Sequence, residues 1–122
     1  MVATPLTGAV FSAATVREKH QAAGRPYLEF LREPALSIGV YRLGVGEPDR
    51  QRPHDEDEVY YVIDGHGEVD IDGEVTPVSP GDTIYVAKHV PHHFQNHPAG
   101  IALLVFFAPP EGSAREREEK SV

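Results

Sequence analysis

Short apolar runs separated by glycine and proline recur along the chain, and several of them alternate apolar with polar residues. Alternation with a period of two is typical of strands that bury one face. Residues 58–63 instead carry bulky side chains at every position, which indicates a strand covered on both sides, by another segment or by a partner subunit. Strands are predicted at residues 10–11, 27–31, 35–43, 58–63, 69–71, 75–78, 83–87, 92–95 and 101–107.

Turn and helix signals divide this pattern further. Asp72-Gly73 lies between two apolar runs and predicts a two-residue hairpin. Residues 12–23 predict a short helix, with Ser12 or Thr15 as its cap and Gly24 as its end. We therefore expect an N-terminal arm with this helix over residues 1–24 and a β-barrel over residues 25–110. Residues 111–122 form a charged tail that we expect to be disordered, because it has no apolar face to dock. Many short strands in about 100 residues are typical of an all-β sandwich or small barrel.

Composition narrows the chemistry. The chain has 122 residues and no cysteine, so a metal would have to be held by imidazole and carboxylate groups. Its formal charge of -8 disfavours nucleic acid and anionic membranes as partners. The sequence has neither an apolar run long enough to span a membrane nor the features of a signal peptide, so we expect a cytoplasmic protein.

Two polar segments carry the candidate chemistry. In the first, His54 and Glu58 flank the acidic triplet of residues 55–57, which we expect to be a solvated loop. If the triplet forms a tight hairpin, His54 ends one strand and Glu58 begins its neighbour, about 4.8 Å away. Glu58 is also in phase with Tyr60, so it faces inward if Tyr60 does, and a buried carboxylate needs a partner. With His92 from the second segment, the set has two histidines and one carboxylate, which suits Zn²⁺ or non-haem Fe(II).

The two segments resemble the two motifs of the cupin superfamily. The first motif has the spacing Gly46, position 52, His54, Glu58 and Gly65, and the second runs from Gly81-Asp82 through His92 to Asn96. The resemblance implies a small antiparallel β-barrel of jelly-roll type, often a homodimer, with one divalent metal ion (Zn, Fe, Mn or Ni). It also implies a small organic molecule bound in the barrel. The leading hypothesis is a metal-dependent enzyme resembling a dioxygenase, an isomerase or a lyase. The alternatives are a non-catalytic metal- or ligand-binding module and a structural cupin with an empty site.

The sequence departs from the family pattern at the position of the first histidine in the first motif. Position 52 is Arg52, and a guanidinium cannot donate a lone pair to a metal. The implied metal ligands are therefore His54, Glu58 and His92, with Gln51 as a neutral fourth ligand if Pro53 bulges the chain. Arg52 would either pair with an anionic ligand at the pocket mouth or form a salt bridge with an acidic residue of the triplet.

The pocket lining is predicted from strand phase, and no residue stands out as a general base. The residues expected to line the pocket are Tyr60, Tyr85 and Phe94, with Tyr41 and either Phe106 or Phe107 as further candidates. His89 takes the place of a turn glycine in the second motif, so we expect its side chain outside the site. His93 alternates away from His92 and is expected on the opposite face of the sheet.

Overall fold

The computed structural model describes residues 6–114 and contains one helix and eight antiparallel strands within that range. The prediction of an all-β domain is confirmed. The helix is α1 (Ala13–Ala23), and the strands are β1 (Tyr27–Glu33), β2 (Leu36–Leu43), β3 (Asp57–Gly65), β4 (Gly67–Ile71), β5 (Glu74–Val78), β6 (Thr83–Val86), β7 (His92–Gln95) and β8 (Ile101–Ala108).

The strands form two sheets with the core between them. The larger sheet has the order β1-β2-β8-β3-β6 and the smaller has the order β5-β4-β7. Alternation sets the inner faces: in β3, Tyr60 and Val62 are buried, whereas Tyr61 and Ile63 are each 43% exposed. Across the core, Tyr60 meets Phe94 of β7 edge to face, with 5.0 Å between ring centroids. Ladder hydrogen bonds do not continue from one sheet to the other among the described residues, so the sheets face each other rather than closing into a continuous barrel.

Local signals behave as expected at the hairpin and at the helix. Asp72 and Gly73 both have positive φ, at 51° and 91°, which is the geometry of a tight hairpin turn between β4 and β5. Ser12 caps α1 by accepting a hydrogen bond from the Thr15 N–H, and Gly24 ends the helix in the left-handed region. None of the residues of α1 is buried, which agrees with its few large apolar side chains.

The predicted strand at residues 10–11 is wrong. Val10 is 97% exposed and has no strand partner among the described residues. The Phe11 ring instead packs on Phe30 of β1, with 5.1 Å between centroids. The apolar residues Val10 and Phe11 therefore do not form a ninth strand, and only the Phe11 side chain contacts the sheet.

The segment after β8 stays attached to the larger sheet. The Glu111 N–H donates to Ser37 Oγ at 3.0 Å, and Arg32 Nη1 donates to the Glu111 carbonyl at 3.0 Å. The Ala114 N–H donates to Glu56 Oε2 at 3.2 Å. Residues 109–114 are thus fixed beside the first strands of the sheet, while the predicted charged tail continues into residues 115–122, outside the described part of the chain. Within residues 6–114, no helix has the length and apolar character needed to cross a membrane.

Candidate metal centre

Three potential metal ligands from separate parts of the chain converge at one end of the core. Glu58 lies on the inner face of β3, His92 begins β7, and His54 belongs to the loop before β3. One ligand atom from each of the three residues lies within 4.8 Å of the others. Glu58 and His92 are buried, and His54 is half-buried. The structure therefore brings together the trio that the sequence motifs implied.

The position of His54 differs from the predicted hairpin. Residues 44–56 form a loop with no regular strand, so His54 does not end one. Its carbonyl accepts a hydrogen bond from the His89 N–H at 2.7 Å, and its ring packs against Phe107, with 4.8 Å between centroids. The loop is held by these contacts, which replace the ladder bonds that the hairpin would have supplied.

The acidic triplet is also only partly the solvated loop that was expected. Glu56 is 2% exposed and accepts the Ala114 N–H, so this carboxylate joins the loop to the C-terminal segment. Asp57 accepts the Lys88 N–H at 3.0 Å. Asp55 lies 3.1 Å from the imidazole of His89. The prediction of solvent exposure therefore fails for Glu56, because a partner from the far end of the chain satisfies its buried oxygen.

The hydrogen bonds of His92 favour the ring form that can bind a metal. Its Nδ1 lies 2.8 Å from the Val90 carbonyl, which can only accept, so Nδ1 carries a proton. Its Nε2 then faces Glu58 Oε1 at 2.9 Å, and both of these atoms are buried. Glu58 Oε1 has no hydrogen-bond partner among the described residues. Two buried acceptors that face each other need a cation or a proton between them, so these residues fit a bound metal ion.

The electrostatics of His92 lead to the same conclusion. Burial alone lowers the pKa of the His92 imidazole. A protonated imidazole can donate to Glu58 and to the Val90 carbonyl, and these two interactions outweigh burial, so the net pKa is raised. The carboxylate that raises the pKa of His92 is therefore the same group that would share a metal ion with it.

Gln51 lies beside this trio with its oxygen turned toward it. Asp49 Oδ2 accepts a hydrogen bond from Gln51 Nε2 at 2.7 Å, so the amide oxygen points the other way. That oxygen accepts the Tyr60 hydroxyl at 2.9 Å and lies 3.5 Å from His54 Nε2. The Tyr60 oxygen is in turn 3.0 Å from His92 Nε2. Burial and the charge of Glu58 raise the pKa of the Tyr60 hydroxyl well above its usual value, so it remains a neutral donor.

The other predicted site residues occupy three different environments. Tyr60 lines the cavity beside the trio, whereas Phe94 lies behind it in the core. Tyr85 is 60% exposed on the outer face of β6, so its predicted place in the pocket is wrong. Ile84 and Val86 occupy the inward phase of that strand instead. Arg52 is exposed and forms no salt bridge within the described chain, to either Asp55 or Asp57.

His89 and His93 lie where the sequence placed them. His89 has a φ of 68°, in the left-handed region where the family motif has glycine, and its side chain is outside. His93 Nε2 contacts Gln95 Oε1 at 3.0 Å, on the face of the sheet opposite to His92. Substitutions of these two histidines can therefore serve as controls for substitutions of the buried His92.

A cavity of about 110 Å³ opens between the trio and the larger sheet. Its apolar wall is formed by Tyr27, Tyr41, Tyr60, Val105 and Phe107. Its polar groups come from Gln51, His54, Glu58 and Glu111. Strand phase predicted Tyr41 and either Phe106 or Phe107 in the lining, and the structure has Tyr41 and Phe107 there. The prediction missed Tyr27 and Glu111, as well as the role of Asp49.

Comparison with known proteins agrees with the fold. The family model of the cupin domain matches residues 39–107. An uncharacterized protein of Streptomyces coelicolor is 42% identical over 85 residues, which are 70% of this chain and 81% of the relative.

Solved structures share the architecture at lower identity. KdgF from a Halomonas species superposes with a TM-score of 0.64 at 23% identity, covering 71% of this chain and 80% of that one. An RmlC-like cupin from Shewanella frigidimarina gives a TM-score of 0.61 at 25% identity, covering 68% and 74%. These matches, the two facing antiparallel sheets and the group of two histidines and a glutamate agree with one another, and the chain belongs to the cupin domain family.

Proposed function

We propose that this protein binds one divalent metal ion and acts as a small metal-dependent enzyme on an organic molecule held in the cavity. His54, Glu58 and His92 are the metal ligands, and Gln51 supplies a neutral oxygen as the fourth. The observation that carries the proposal is the convergence of the two histidines and the glutamate, each with a ligand atom within 4.8 Å of the others. Two of these three side chains are buried, and Glu58 Oε1 faces His92 Nε2 at 2.9 Å.

The donor set limits the identity of the ion and its chemistry. Two imidazoles, one carboxylate and one amide oxygen suit Zn, Fe, Mn or Ni better than an ion that prefers oxygen alone, such as Ca²⁺ or Mg²⁺. When bound, such an ion acts as a Lewis acid toward a substrate oxygen or, as iron, supports oxygen chemistry. The reactions that we propose are accordingly an isomerisation, an elimination or a dioxygenation.

The chain's own residues would orient and enclose the substrate. The Tyr60 hydroxyl is fixed by Gln51 and lies beside His92, where it can donate to a substrate oxygen if it releases Gln51. Aromatic rings from β1, β2, β3 and β8 shield the site from water, which strengthens its electrostatic interactions. Asp49 keeps the Gln51 amide in the orientation that turns its oxygen inward.

Metal content tests the proposal directly. Untagged protein purified without chelator would be analysed by elemental mass spectrometry, alongside His92→Ala and the matched control His93→Ala. We expect about one ion per chain in the wild type and in the control, and a loss of about 10–100-fold or more in affinity for His92→Ala. The two substitutions remove the same side chain from adjacent positions of β7, one facing inward and one facing outward.

The outcomes are distinct. Metal that is retained in His92→Ala and absent from His93→Ala would contradict the assignment of ligands. If the wild type neither carries metal nor takes up Fe, Mn, Zn or Ni on soaking, the proposed function is refuted. Gln51→Ala separates a fourth ligand from a bystander, because only a ligand would change the spectrum of a Co²⁺-loaded site.

We also propose that the protein forms a homodimer through the outer face of the larger sheet. Val59, Tyr61 and Ile63 lie on that face of β3, and Tyr85 is paired with Val59 across the β3–β6 ladder. The next strand adds Leu104 and Phe106, and Asp57 beside Tyr85 places one carboxylate at the edge of this apolar patch. Because each chain has a formal charge of -8, a second copy approaches most readily through a face that is mainly apolar.

Light scattering during size-exclusion chromatography tests the dimer. Wild type is expected at twice the chain mass, and Tyr85→Glu at the chain mass, since the new carboxylates would meet in the interface. Val75→Glu is the matched control, because Val75 is an exposed apolar residue on β5 of the other sheet. A monomeric wild type, or a Tyr85→Glu variant that remains dimeric, would overturn this assignment.

A further inference from the structure

A buried hydroxyl with no partner lies at the end of the cavity formed by β1 and β2. The Tyr27 oxygen is inaccessible to solvent and makes no hydrogen bond within the described chain, although Tyr27 lines the cavity. Its position depends on Gly39 of the neighbouring strand, where an added Cβ would lie 2.4 Å from the hydroxyl oxygen. The missing side chain of Gly39 lets the phenol lie flat against the sheet. A buried hydroxyl without a partner is costly, so this one indicates a missing hydrogen-bonding group in the cavity.

Glu111 lines the same cavity from the segment after β8. Its backbone is tied to Ser37 and Arg32, so the position of this residue is fixed. Its negative charge helps to raise the pKa of the Tyr27 hydroxyl, after the larger effect of burial. The pKa of Glu111 itself is raised, first by burial and then by Glu29, Glu56 and Glu58, although His54 opposes this. The two groups offer a ligand one donor and one strong acceptor.

The charges around the cavity disfavour an anionic ligand. Glu58 and Glu111 contribute negative charge, and the described residues that line the cavity include no lysine or arginine. One divalent ion would balance these two carboxylates, which leaves no excess positive charge for a second anion. The volume of about 110 Å³ corresponds to about four water molecules, so the ligand has few heavy atoms.

We propose that Tyr27 and Glu111 form a recognition pair that selects a small uncharged ligand with a hydroxyl group over an anion of the same size. The ligand hydroxyl accepts a hydrogen bond from Tyr27 and donates one to the Glu111 carboxylate, which satisfies all three groups. A carboxylate or phosphate in that place could not donate to Glu111 and would be repelled by it. This inference rests on the proposed function, because it assigns the substrate class of the same cavity.

A pair of nearly isosteric probes tests the preference. 1,2-Propanediol and lactate would be titrated into ¹⁵N-labelled protein, both metal-free and Zn-loaded, and followed by amide chemical shifts. Wild type is expected to bind the diol at least about tenfold more tightly than lactate. Glu111→Gln should remove most of this preference, chiefly by improving the binding of lactate. Tyr27→Phe should weaken the diol about fivefold or more.

Matched controls separate recognition from folding. Glu74→Gln removes an exposed carboxylate, and Thr76→Val removes an exposed hydroxyl, so neither should change the ratio of the two affinities. Thermal unfolding of each variant shows whether it is folded. Lactate that binds wild type as tightly as the diol overturns the inference, as does an unchanged ratio in Glu111→Gln, or failure of wild type to bind either probe.

The same samples distinguish this inference from the proposed function. Elemental analysis measures metal content independently of the probes. A protein that holds zinc but does not prefer the diol would refute the recognition pair alone. A protein that takes up no metal, yet prefers the diol in a Glu111-dependent way, would refute the metal-dependent function alone.

Discussion

Substitution of Asp49 by asparagine tests whether one carboxylate organises the loop that carries His54 and Gln51. Asp49 Oδ1 accepts the Tyr41 hydroxyl at 2.5 Å and the Gln51 N–H at 3.2 Å. Asp49 Oδ2 accepts Gln51 Nε2 at 2.7 Å and the Phe94 N–H at 2.8 Å. The carboxylate therefore joins β2, the loop and β7, and every polar group that it meets is a donor.

An asparagine keeps the shape but presents an NH₂ group to two of these donors. In one orientation of the new amide, the Tyr41 hydroxyl can rotate to accept, but the backbone N–H of Gln51 is left without a partner. In the other orientation, the Gln51 side chain can flip, but the Phe94 N–H is left without one. Hydrogen bonds to charged groups contribute about 1.5–3 kcal/mol each, and a buried orphan donor costs about 1–3 kcal/mol. Because Asp49 is half-buried and water can reach it, we expect a loss of about 2 kcal/mol.

Urea unfolding of the metal-free protein measures this loss, with Asp64→Asn on the exposed side of β3 as the control. The midpoint should fall for Asp49→Asn with an unchanged slope, and the control should stay within about 0.5 kcal/mol of wild type. Metal affinity should fall about 10–100-fold, because Gln51 loses the group that orients it. A change in unfolding free energy below about 0.5 kcal/mol, with metal affinity unaltered, would refute the role of Asp49.

Two further predictions concern the packing of Tyr27 beside the cavity and the buried pair of His92 and Glu58. Gly39→Ala places a Cβ 2.4 Å from the Tyr27 ring and should destabilise the protein by about 1–3 kcal/mol. Thermal unfolding should show a smaller loss in a Tyr27→Ala background, and an equal loss there would mean that the clash lies elsewhere. In the metal-free protein, the pKa of His92 is raised above its ordinary value of 6.5. Its contribution to the free energy of unfolding is therefore fully present below pH 6.5, and it is lost as the pH rises through the raised pKa. The difference in unfolding free energy between wild type and His92→Phe should therefore shrink from about pH 5 to pH 9, and growth over this range would contradict the sign.

Much of the sheet architecture could be predicted because strand periodicity is a local property. The alternation along β2 puts Ser37, Gly39, Tyr41 and Leu43 on one face, which in the structure is the inner one. The hairpin at Asp72-Gly73 follows from its turn residues alone. Periodicity does not say which phase faces inward, and Tyr85 shows the consequence. In β6, Ile84 and Val86 together bury more apolar surface than one tyrosine whose hydroxyl would need a partner.

The rest of the site depends on contacts between distant parts of the chain, which local patterns do not contain. Glu56 reads as part of a solvated acidic run until Ala114 supplies its donor, 58 residues away in sequence. Glu111 follows two prolines that would normally end a domain, and its backbone hydrogen bonds to Ser37 and Arg32 hold it beside the cavity. The unpartnered hydroxyl of Tyr27 could not be foreseen, because it depends on the space left by Gly39.

The replacement of the first motif histidine by Arg52 can be explained by the residue before it, Gln51. A guanidinium beside a metal ion would be repelled by it, and Arg52 is exposed on the outside of the loop. With Arg52 turned outward, Gln51 turns inward, and its amide has two possible orientations of which only one presents oxygen to the site. The Asp49 carboxylate accepts from the amide nitrogen and so selects that orientation, while the Tyr60 hydroxyl donates to the oxygen. In the proposed site, Gln51 takes the place of that motif histidine, and the Asp49 carboxylate is the acceptor that holds its NH₂ group away from the metal.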